Sequence, residues 1–207
     1  MKTAMVLGLA GALMMLCGDM ALYYSPDDYG NDDTLEPIIN IMKKLGMRRL
    51  YIGGLLGPFA AFVYCLGYYH IPLMTDEKHL LLGQVCFLVN CLGIIGGGAY
   101  HSHCANLGLI PRHGSAEDKE EVLRYLGVQK NAFFIPQAAG FIVLAVLVAA
   151  GWTVLPRWYF LLTPGVLMLL LPLMRKLPKG LHMVVCGGWT NMISVIYYAA
   201  ALISVSV

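Results

Sequence analysis

Residues 3–24 read TAMVLGLAGALMMLCGDMALYY, an apolar run that contains one acidic residue near its end. The run is long enough to cross the hydrocarbon core of a bilayer, which takes about 20 residues of helix. Its acidic residue is Asp19, and an ionised side chain at the centre of a bilayer costs about 2.5–3.5 kcal/mol on insertion scales. An interaction partner, a polar cavity or a function that requires the charge must offset that cost. The run therefore predicts a membrane-spanning helix and marks Asp19 as a candidate functional residue.

The composition of the whole chain supports the same class of protein. Of its 207 residues, 58% are hydrophobic and 13% are charged, whereas soluble domains carry about 25% charged residues. The net charge of +2 and the lack of a basic stripe with aromatic residues argue against nucleic acid as a partner. The sequence predicts an all-α, polytopic integral membrane protein that contacts membrane lipids, and it leaves any oligomeric partner unknown.

Six apolar runs are candidate transmembrane helices of a single domain that covers residues 1–207. Helices are expected because only a helix satisfies every backbone hydrogen bond within one span in lipid. The predicted helices cover residues 3–24, 49–70, 79–101, 131–151, 157–174 and 180–205. The connection 102–130 is predicted to hold a short soluble helix that Ser115 caps. No A-x-A-like cleavage site follows the first run, so it is predicted to be a retained helix and not a signal peptide.

Lysine and arginine are distributed unequally between the two sides of these spans. Lys2, Lys78 and Arg157 fall on one side, and the other 11 of the 14 Lys and Arg residues fall on the opposite side. Positive residues accumulate on the cytoplasmic side of membrane proteins. The distribution predicts that both termini lie outside, with the chain in the inner (plasma) membrane of a bacterium.

This orientation places polar residues of several helices in one layer near the cytoplasmic face. Besides Asp19, the layer contains Tyr100, His101, His103, Asn131, Gln137 and His182, with Asn191 deeper in the last helix. The opposite half of the membrane is poorer, with Gln84 and Asn90. The layer predicts that Asp19 faces a polar cavity open to the cytoplasm, where imidazole groups are its partners. The alternative is a structural Asp19 that is hydrogen-bonded to Asn191 or Thr190.

Carboxylate and imidazole together are typical ligands of zinc or another divalent metal. The candidate metal ligands are Asp19, His101, His103 and His182, and a metal-bound water would attack an ester or amide. Without a metal, Asp19 would orient His101 or His182 as a general base. Candidate substrate-binding residues are Tyr100, Asn131, Gln137 and Asn191. Because His101 and His103 are two residues apart, they point about 200° apart on a regular helix, and both bind only if the helix ends between them.

Three classes of function remain open. The first is an intramembrane hydrolase that acts on a lipid or amphiphile, which stoichiometric bound metal would favour. The second is a transporter or channel for a small solute, proton or ion that uses Asp19, in which Gln84 and Asn90 would line the outer half of the path. The third is a sensor or assembly subunit without chemistry, which a closed interior with Asp19 bonded to Asn191 or Thr190 would favour.

Two resemblances accompany these hypotheses. With GDMALYY in residues 18–24 and YIGGLLGPFAAFVYCLGYYH in residues 51–70, the chain resembles a bacterial six-helix membrane family recorded as a domain of unknown function, which implies no activity. The Asp/His layer is thematically similar to the hydrolase superfamily of alkaline ceramidases and adiponectin-type receptors, which binds zinc with three histidines and uses an aspartate. Those proteins have seven spans and a His-x-x-x-His in the last helix, where this chain has His182 followed by Cys186.

The six cysteines form no C-x-x-C pair, and most lie inside apolar runs. A free cysteine in such a run behaves as a small hydrophobic residue. We therefore expect the cysteines to be buried packing residues and not a disulfide framework.

Overall fold

The protein is described by a computed structural model that covers residues 1–25, 40–113 and 115–205. Every regular element among these residues is helical, so the all-α prediction is confirmed. The helices are α1 (Lys2–Tyr23), α2 (Met47–Tyr68), α3 (His70–Met74), α4 (Leu80–His113), α5 (Ala116–Ala149), α6 (Pro164–Leu167), α7 (Leu171–Met174) and α8 (Lys179–Ser204). Short 3-10 helices cover Glu77–His79, Arg157–Leu162 and Met168–Leu170.

Within the described residues, four helices are long and apolar enough to cross a membrane, not the six predicted. They are Lys2–Tyr23, Met47–Met74, Glu77–Ile110 and Glu120–Ala149. The difference lies in the last two predicted helices. Several residues of α8 have side chains outside the described part of the chain, and α8 is not among the four.

The predicted helix 157–174 is wrong as a single element because prolines divide it. Pro164 begins α6 and Pro172 lies in the first turn of α7, where a missing N–H does no harm. Inside one continuous helix, each of these prolines would remove a hydrogen bond and clash with the preceding turn. The segment therefore forms short pieces, and its apolar helical part is limited to Pro164–Met174.

The helices α4 and α5 are longer than the predicted 79–101 and 131–151. They continue through the connection 102–130 as a helical hairpin, so the separate soluble helix predicted there is the first part of α5. The predicted cap is confirmed: the Ser115 hydroxyl accepts from the Asp118 backbone N–H at 3.1 Å. In return, hydrogen bonds from the Ser115 backbone N–H and hydroxyl hold the pKa of Asp118 below its usual range.

Long helices that follow one another along the chain pack antiparallel. Gly67 lies against Gly8 and Gly53 against Leu22, which pairs α1 with α2 in opposite directions. The last helix returns beside the first, because Tyr198 contacts Gly8 while Asn191 bonds to Asp19. We call the end of the bundle where α1 finishes and α2 begins the Asp19 end, and the opposite end the His70 end.

Glycine allows α1 and α2 to approach until their backbones touch. A Cβ at position 67 would collide with the Gly8 backbone, and a Cβ at position 11 would lie 2.8 Å from the Tyr64 backbone N. Small residues bring helices close in membranes because van der Waals packing, not the hydrophobic effect, drives their association there. The close seam is what brings Tyr64 and Asp19 to neighbouring positions in the interior.

We expect Gly67→Ala to destabilise the protein by about 1–3 kcal/mol, since the added methyl group must push two backbones apart. The matched control is Gly127→Ala in α5, where a Cβ would meet no atom within 4 Å. The control should be neutral or stabilising by about 0.5–1 kcal/mol, because alanine is the better helix former. Thermal unfolding of both variants in detergent measures the difference, and equal unfolding temperatures would contradict the tight seam.

Candidate functional site

The candidate site is centred on Asp19, one turn from the end of α1. Its side chain is buried, with 4% of the residue exposed. The carboxylate oxygen Oδ1 lies 3.1 Å from His101 Nε2 of α4, and Oδ2 accepts a hydrogen bond of 2.7 Å from Asn191 Nδ2 of α8. Both partners are also buried. One carboxylate therefore joins three helices that are distant in sequence.

A fourth helix enters the network through a tyrosine that the sequence did not single out. The Tyr64 hydroxyl of α2 donates to Asn191 Oδ1 at 3.0 Å, and Tyr64 is completely buried. Asn191 is therefore held from both sides of its amide group. This fixes which of its atoms donates to Asp19, since the oxygen is occupied by the tyrosine.

The imidazole of His101 fits tightly because glycines face it from two helices. A Cβ at Gly57 of α2 would collide with the His101 Cβ, and a Cβ at Gly18 would lie 3.2 Å from His101 Nδ1. The second ring nitrogen, Nδ1, lies 3.4 Å from the Gly53 carbonyl oxygen. An imidazolium could thus direct one N–H to Asp19 and the other to Gly53, and a neutral ring could keep either contact.

Arg49 neutralises the end of the helix that carries Asp19. Its guanidinium donates to the backbone carbonyl oxygens of Met20, Ala21 and Tyr24 at 3.2, 3.0 and 2.7 Å. These carbonyls lie at the C-terminal end of α1, which carries the negative end of the helix dipole. The Met20 oxygen also accepts from the Tyr24 backbone N–H at 3.2 Å. The guanidinium therefore binds backbone oxygens, and the Asp19 carboxylate keeps His101 and Asn191 as its partners.

We expect Arg49→Met to destabilise the protein by about 2–4 kcal/mol, because three charge-assisted hydrogen bonds to backbone carbonyls are lost, two of them partly buried. Arg48→Met is the matched control, since Arg48 is the exposed neighbour of the half-buried Arg49. The unfolding temperature in detergent should fall for the first variant only. A similar decrease for both variants would mean that the stabilisation comes from positive charge near this end of the bundle. It would not then come from the hydrogen bonds of Arg49 to the end of α1.

Further buried polar side chains continue from this network toward the His70 end. The ring of Tyr64 lies 6.5 Å from that of Tyr198, which lies 5.2 Å from the His70 ring. His70 is fully buried, and its Nε2 lies 2.8 Å from the Tyr197 hydroxyl. We call these four residues, Tyr64, Tyr198, His70 and Tyr197, the polar series. Gly53, beside His101, and His70 are 17 residues apart on α2–α3, so the site around Asp19 and the polar series together extend over about 25 Å.

A side branch of the polar series involves Gln137, one of the predicted substrate-binding residues. Gln137 Nε2 donates to Asn90 Oδ1 at 2.7 Å and lies 3.5 Å from the Tyr68 hydroxyl, and Asn90 is fully buried. The Tyr64 and Tyr68 rings are stacked, with centroids 5.5 Å apart. Gln137 therefore lies deeper in the bundle than the layer in which it was predicted.

Other predicted residues are not brought to Asp19. The His103 ring packs edge-to-face on Tyr125, 5.4 Å away in the helical hairpin, because α4 continues and turns His103 away from His101. Asn131 and Gln84 are exposed on the outside of the bundle. Tyr100 packs in a second apolar cluster at the Asp19 end, around Leu22 and Leu107. His182 lies in α8, but its side chain is outside the described residues.

Of the four candidate metal ligands, the structure brings together Asp19 and His101. Among the side chains that the structure describes, no group of three His, Cys, Asp or Glu residues is close enough to hold a metal ion. The zinc site thus remains a prediction that depends on His182. What Asp19 and His101 can do by themselves is exchange a proton, since a carboxylate and an imidazole at 3.1 Å are within hydrogen-bonding distance of each other.

Sequence reasoning missed Tyr64 and Arg49. The signal for Tyr64 was its helical spacing from Gly53, Gly57 and Ala60, which places it on the small-residue face of α2. Arg49 carried no local signal, because it was one of many positive residues on its side of the membrane.

Comparison with known proteins identifies the family of the chain but assigns it no activity. No curated protein and no solved structure matches the sequence, and nothing links it to the ceramidase superfamily. One family model covers residues 1–206. The chain belongs to that family, a family of unknown function designated DUF6796.

Proposed function

We propose that this protein moves protons across a membrane, with Asp19 as the titrating group and His101 as its exchange partner. The observation that supports the proposal is a carboxylate–imidazole pair buried where α1, α4 and α8 meet. Ionisable groups inside a membrane bundle are costly and commonly mark proton relays.

Protonation of Asp19 would change the packing of the helices as well as the charge. The carboxylate accepts from Asn191 and lies 3.1 Å from His101 Nε2, and a protonated carboxyl would have to donate with one of its oxygens. Asn191 in turn holds Tyr64. A proton on Asp19 thus alters bonds in four helices at once, and this is how its uptake would be coupled to movement.

The polar series supports a route from this pair to the far end of the bundle. Tyrosine hydroxyls and imidazoles both donate and accept protons. The Tyr198 hydroxyl is buried and has no hydrogen-bond partner among the described residues, which is typical of a position that an ordered water completes. Beyond Tyr198, the His70 ring contacts the Tyr197 hydroxyl through Nε2 and the Gly67 carbonyl oxygen through Nδ1.

The proposal includes an orientation. We infer that the chain crosses the membrane six times, with α8 and the broken segment 157–174 as the crossings beyond the four long helices. This path agrees with the return of α8 beside α1. The Lys and Arg distribution favours both termini outside and the Asp19 end in the cytoplasm of a bacterium, in its plasma membrane.

The experiment is a flux measurement in liposomes that hold the purified protein and a trapped pH-sensitive dye. A potassium gradient with valinomycin imposes an inside-negative potential, which drives protons inward. We expect internal acidification several-fold faster than in empty liposomes, and the empty-liposome rate for Asp19→Asn. Gln84→Ala, on the exposed outside of the bundle, should keep the wild-type rate. A wild-type rate equal to that of empty liposomes would refute the proposal.

A sensor or assembly subunit is the second candidate, and one observation favours it. Both Asp19 oxygens already have protein partners, so the network is complete without a proton path. The same flux measurement separates the two functions, because a purely structural network gives no flux in the wild type. The hydrolase with zinc or another divalent metal remains a prediction; one bound metal per chain, lost in Asp19→Asn, would favour it instead.

A further inference from the structure

Two cysteines on neighbouring helices lie beside each other at a site unrelated to Asp19. The side chain of Cys65 of α2 neighbours that of Cys91 of α4. Both are free cysteines with partly exposed side chains. The expectation that the cysteines are buried packing residues is thus wrong for this pair and for the exposed Cys17, although it is correct for Cys86 and Cys104.

Their proximity follows from the packing of α2 against α4. At Gly98 a Cβ would lie 2.8 Å from both the Ala61 Cβ and the Gly57 carbonyl oxygen, so the helices are close there. Cys65 is one turn after Ala61, and Cys91 is two turns before Gly98. Because α2 and α4 are antiparallel, moving forward along α2 from Ala61 and backward along α4 from Gly98 leads in the same direction. Cys65 and Cys91 therefore lie at similar heights along the contact between the two helices. A disulfide needs Cβ atoms about 3.5–4.5 Å apart, which a seam this tight favours.

The position of the pair indicates which oxidant could reach it. Both cysteines lie within helices long and apolar enough to cross a membrane, so their exposed sides face lipid. A water-soluble oxidant such as oxidised glutathione would have to enter the hydrocarbon region. A lipid-soluble quinone already resides there, and it accepts two electrons and two protons.

We propose that Cys65 and Cys91 form a redox-active dithiol that a membrane quinone oxidises to a disulfide. In this reaction two S–H bonds break and one S–S bond forms. The two protons and two electrons pass to the quinone, which becomes a hydroquinone. The product links α2 to α4, the helices that carry Tyr64 and His101, by a covalent bond.

The test uses the reduced, full-length protein in liposomes under anaerobic conditions, with decylubiquinone as the probe. After acid quenching and alkylation, peptide mass spectrometry identifies which thiols were lost. We expect a Cys65–Cys91 disulfide and one hydroquinone for each disulfide formed. This measurement on the wild type does not depend on whether a variant folds.

Two variants sharpen the result. Cys65→Ser should abolish hydroquinone formation, whereas Cys17→Ser, at an exposed cysteine of α1, should leave it unchanged. The proposal is overturned if Cys65 and Cys91 are both still alkylated after incubation with the quinone. It is equally overturned if Cys65→Ser protein reduces the quinone at the wild-type rate.

Discussion

Asp19→Asn is expected to abolish proton flux while it leaves the fold close to that of the wild type. Asparagine can replace every hydrogen bond at this position. Its oxygen can accept from Asn191, and its amide can donate to His101 Nε2 if the imidazole moves its proton to Nδ1, which faces the Gly53 carbonyl. What the substitution removes is the charge and the titration, which are the two properties that the proposed function needs.

The expected cost to stability is small. The hydrogen bond from Asn191 and the close contact with His101 both lose the carboxylate charge, which weakens each by about 1 kcal/mol, so the free energy of unfolding should fall by about 1–2 kcal/mol. Asp19→Ala is the informative comparison, because it leaves the His101 and Asn191 donors without an acceptor at about 1–3 kcal/mol each. Thermal unfolding in detergent, beside the flux assay, measures both effects. Flux that survives in Asp19→Asn would exclude Asp19 as the titrating group.

His101→Leu is expected to be the most destabilising change at the site. It removes the partner of a carboxylate that remains buried, and leaving a buried charge without its partner costs about 3–5 kcal/mol. His103→Leu is the matched control, because it makes the same chemical change two residues away, where the ring lies against Tyr125 and not Asp19. The control should cost less than about 1.5 kcal/mol.

The double variant Asp19→Asn with His101→Leu tests the reason for that loss. If the unpaired charge is the cause, neutralising Asp19 should recover about 1–3 kcal/mol of the stability lost in His101→Leu, a coupling typical of residues in contact. The measurement is a double-mutant cycle of unfolding free energies in detergent. Additive effects of the two changes would mean that Asp19 and His101 do not interact as a pair.

Much of the fold could be predicted because membrane spans depend on local composition. Apolar length alone identified the regions of α1 and α2, and Ser115 with Asp118 marked the start of α5. The continuation of α4 through His113 could not be predicted, because polar residues after Tyr100 look like a loop when hydropathy alone is considered. The division of 157–174 follows from Pro164 and Pro172, and apolar length alone does not show where proline breaks a helix.

The sequence alone predicts the site residues that are chemically unusual in a membrane helix. It does not predict the residues whose contacts depend on how their helix is rotated about its own axis. Asp19 was identified by its cost in lipid, and Asn191 was named in advance as a hydrogen-bonding partner. Asn131 was assigned to the same layer by depth, but the rotation of α5 places it outside the bundle. The depth of a residue in the membrane follows from its position in the sequence. The direction in which its side chain points depends on how helices that are distant in sequence pack together.

The central claim is that the buried Asp19 carboxyl takes up and releases a proton, and infrared difference spectroscopy tests it most directly. Spectra of the wild-type protein in lipid at a series of pH values, minus those of Asp19→Asn, isolate the carbonyl stretch of this one carboxyl group. We predict a band of protonated carboxylic acid that grows as the pH falls, over the same range in which proton flux changes. If the difference spectra show no titrating carboxyl band over the pH range in which the protein stays folded, Asp19 does not carry the proton.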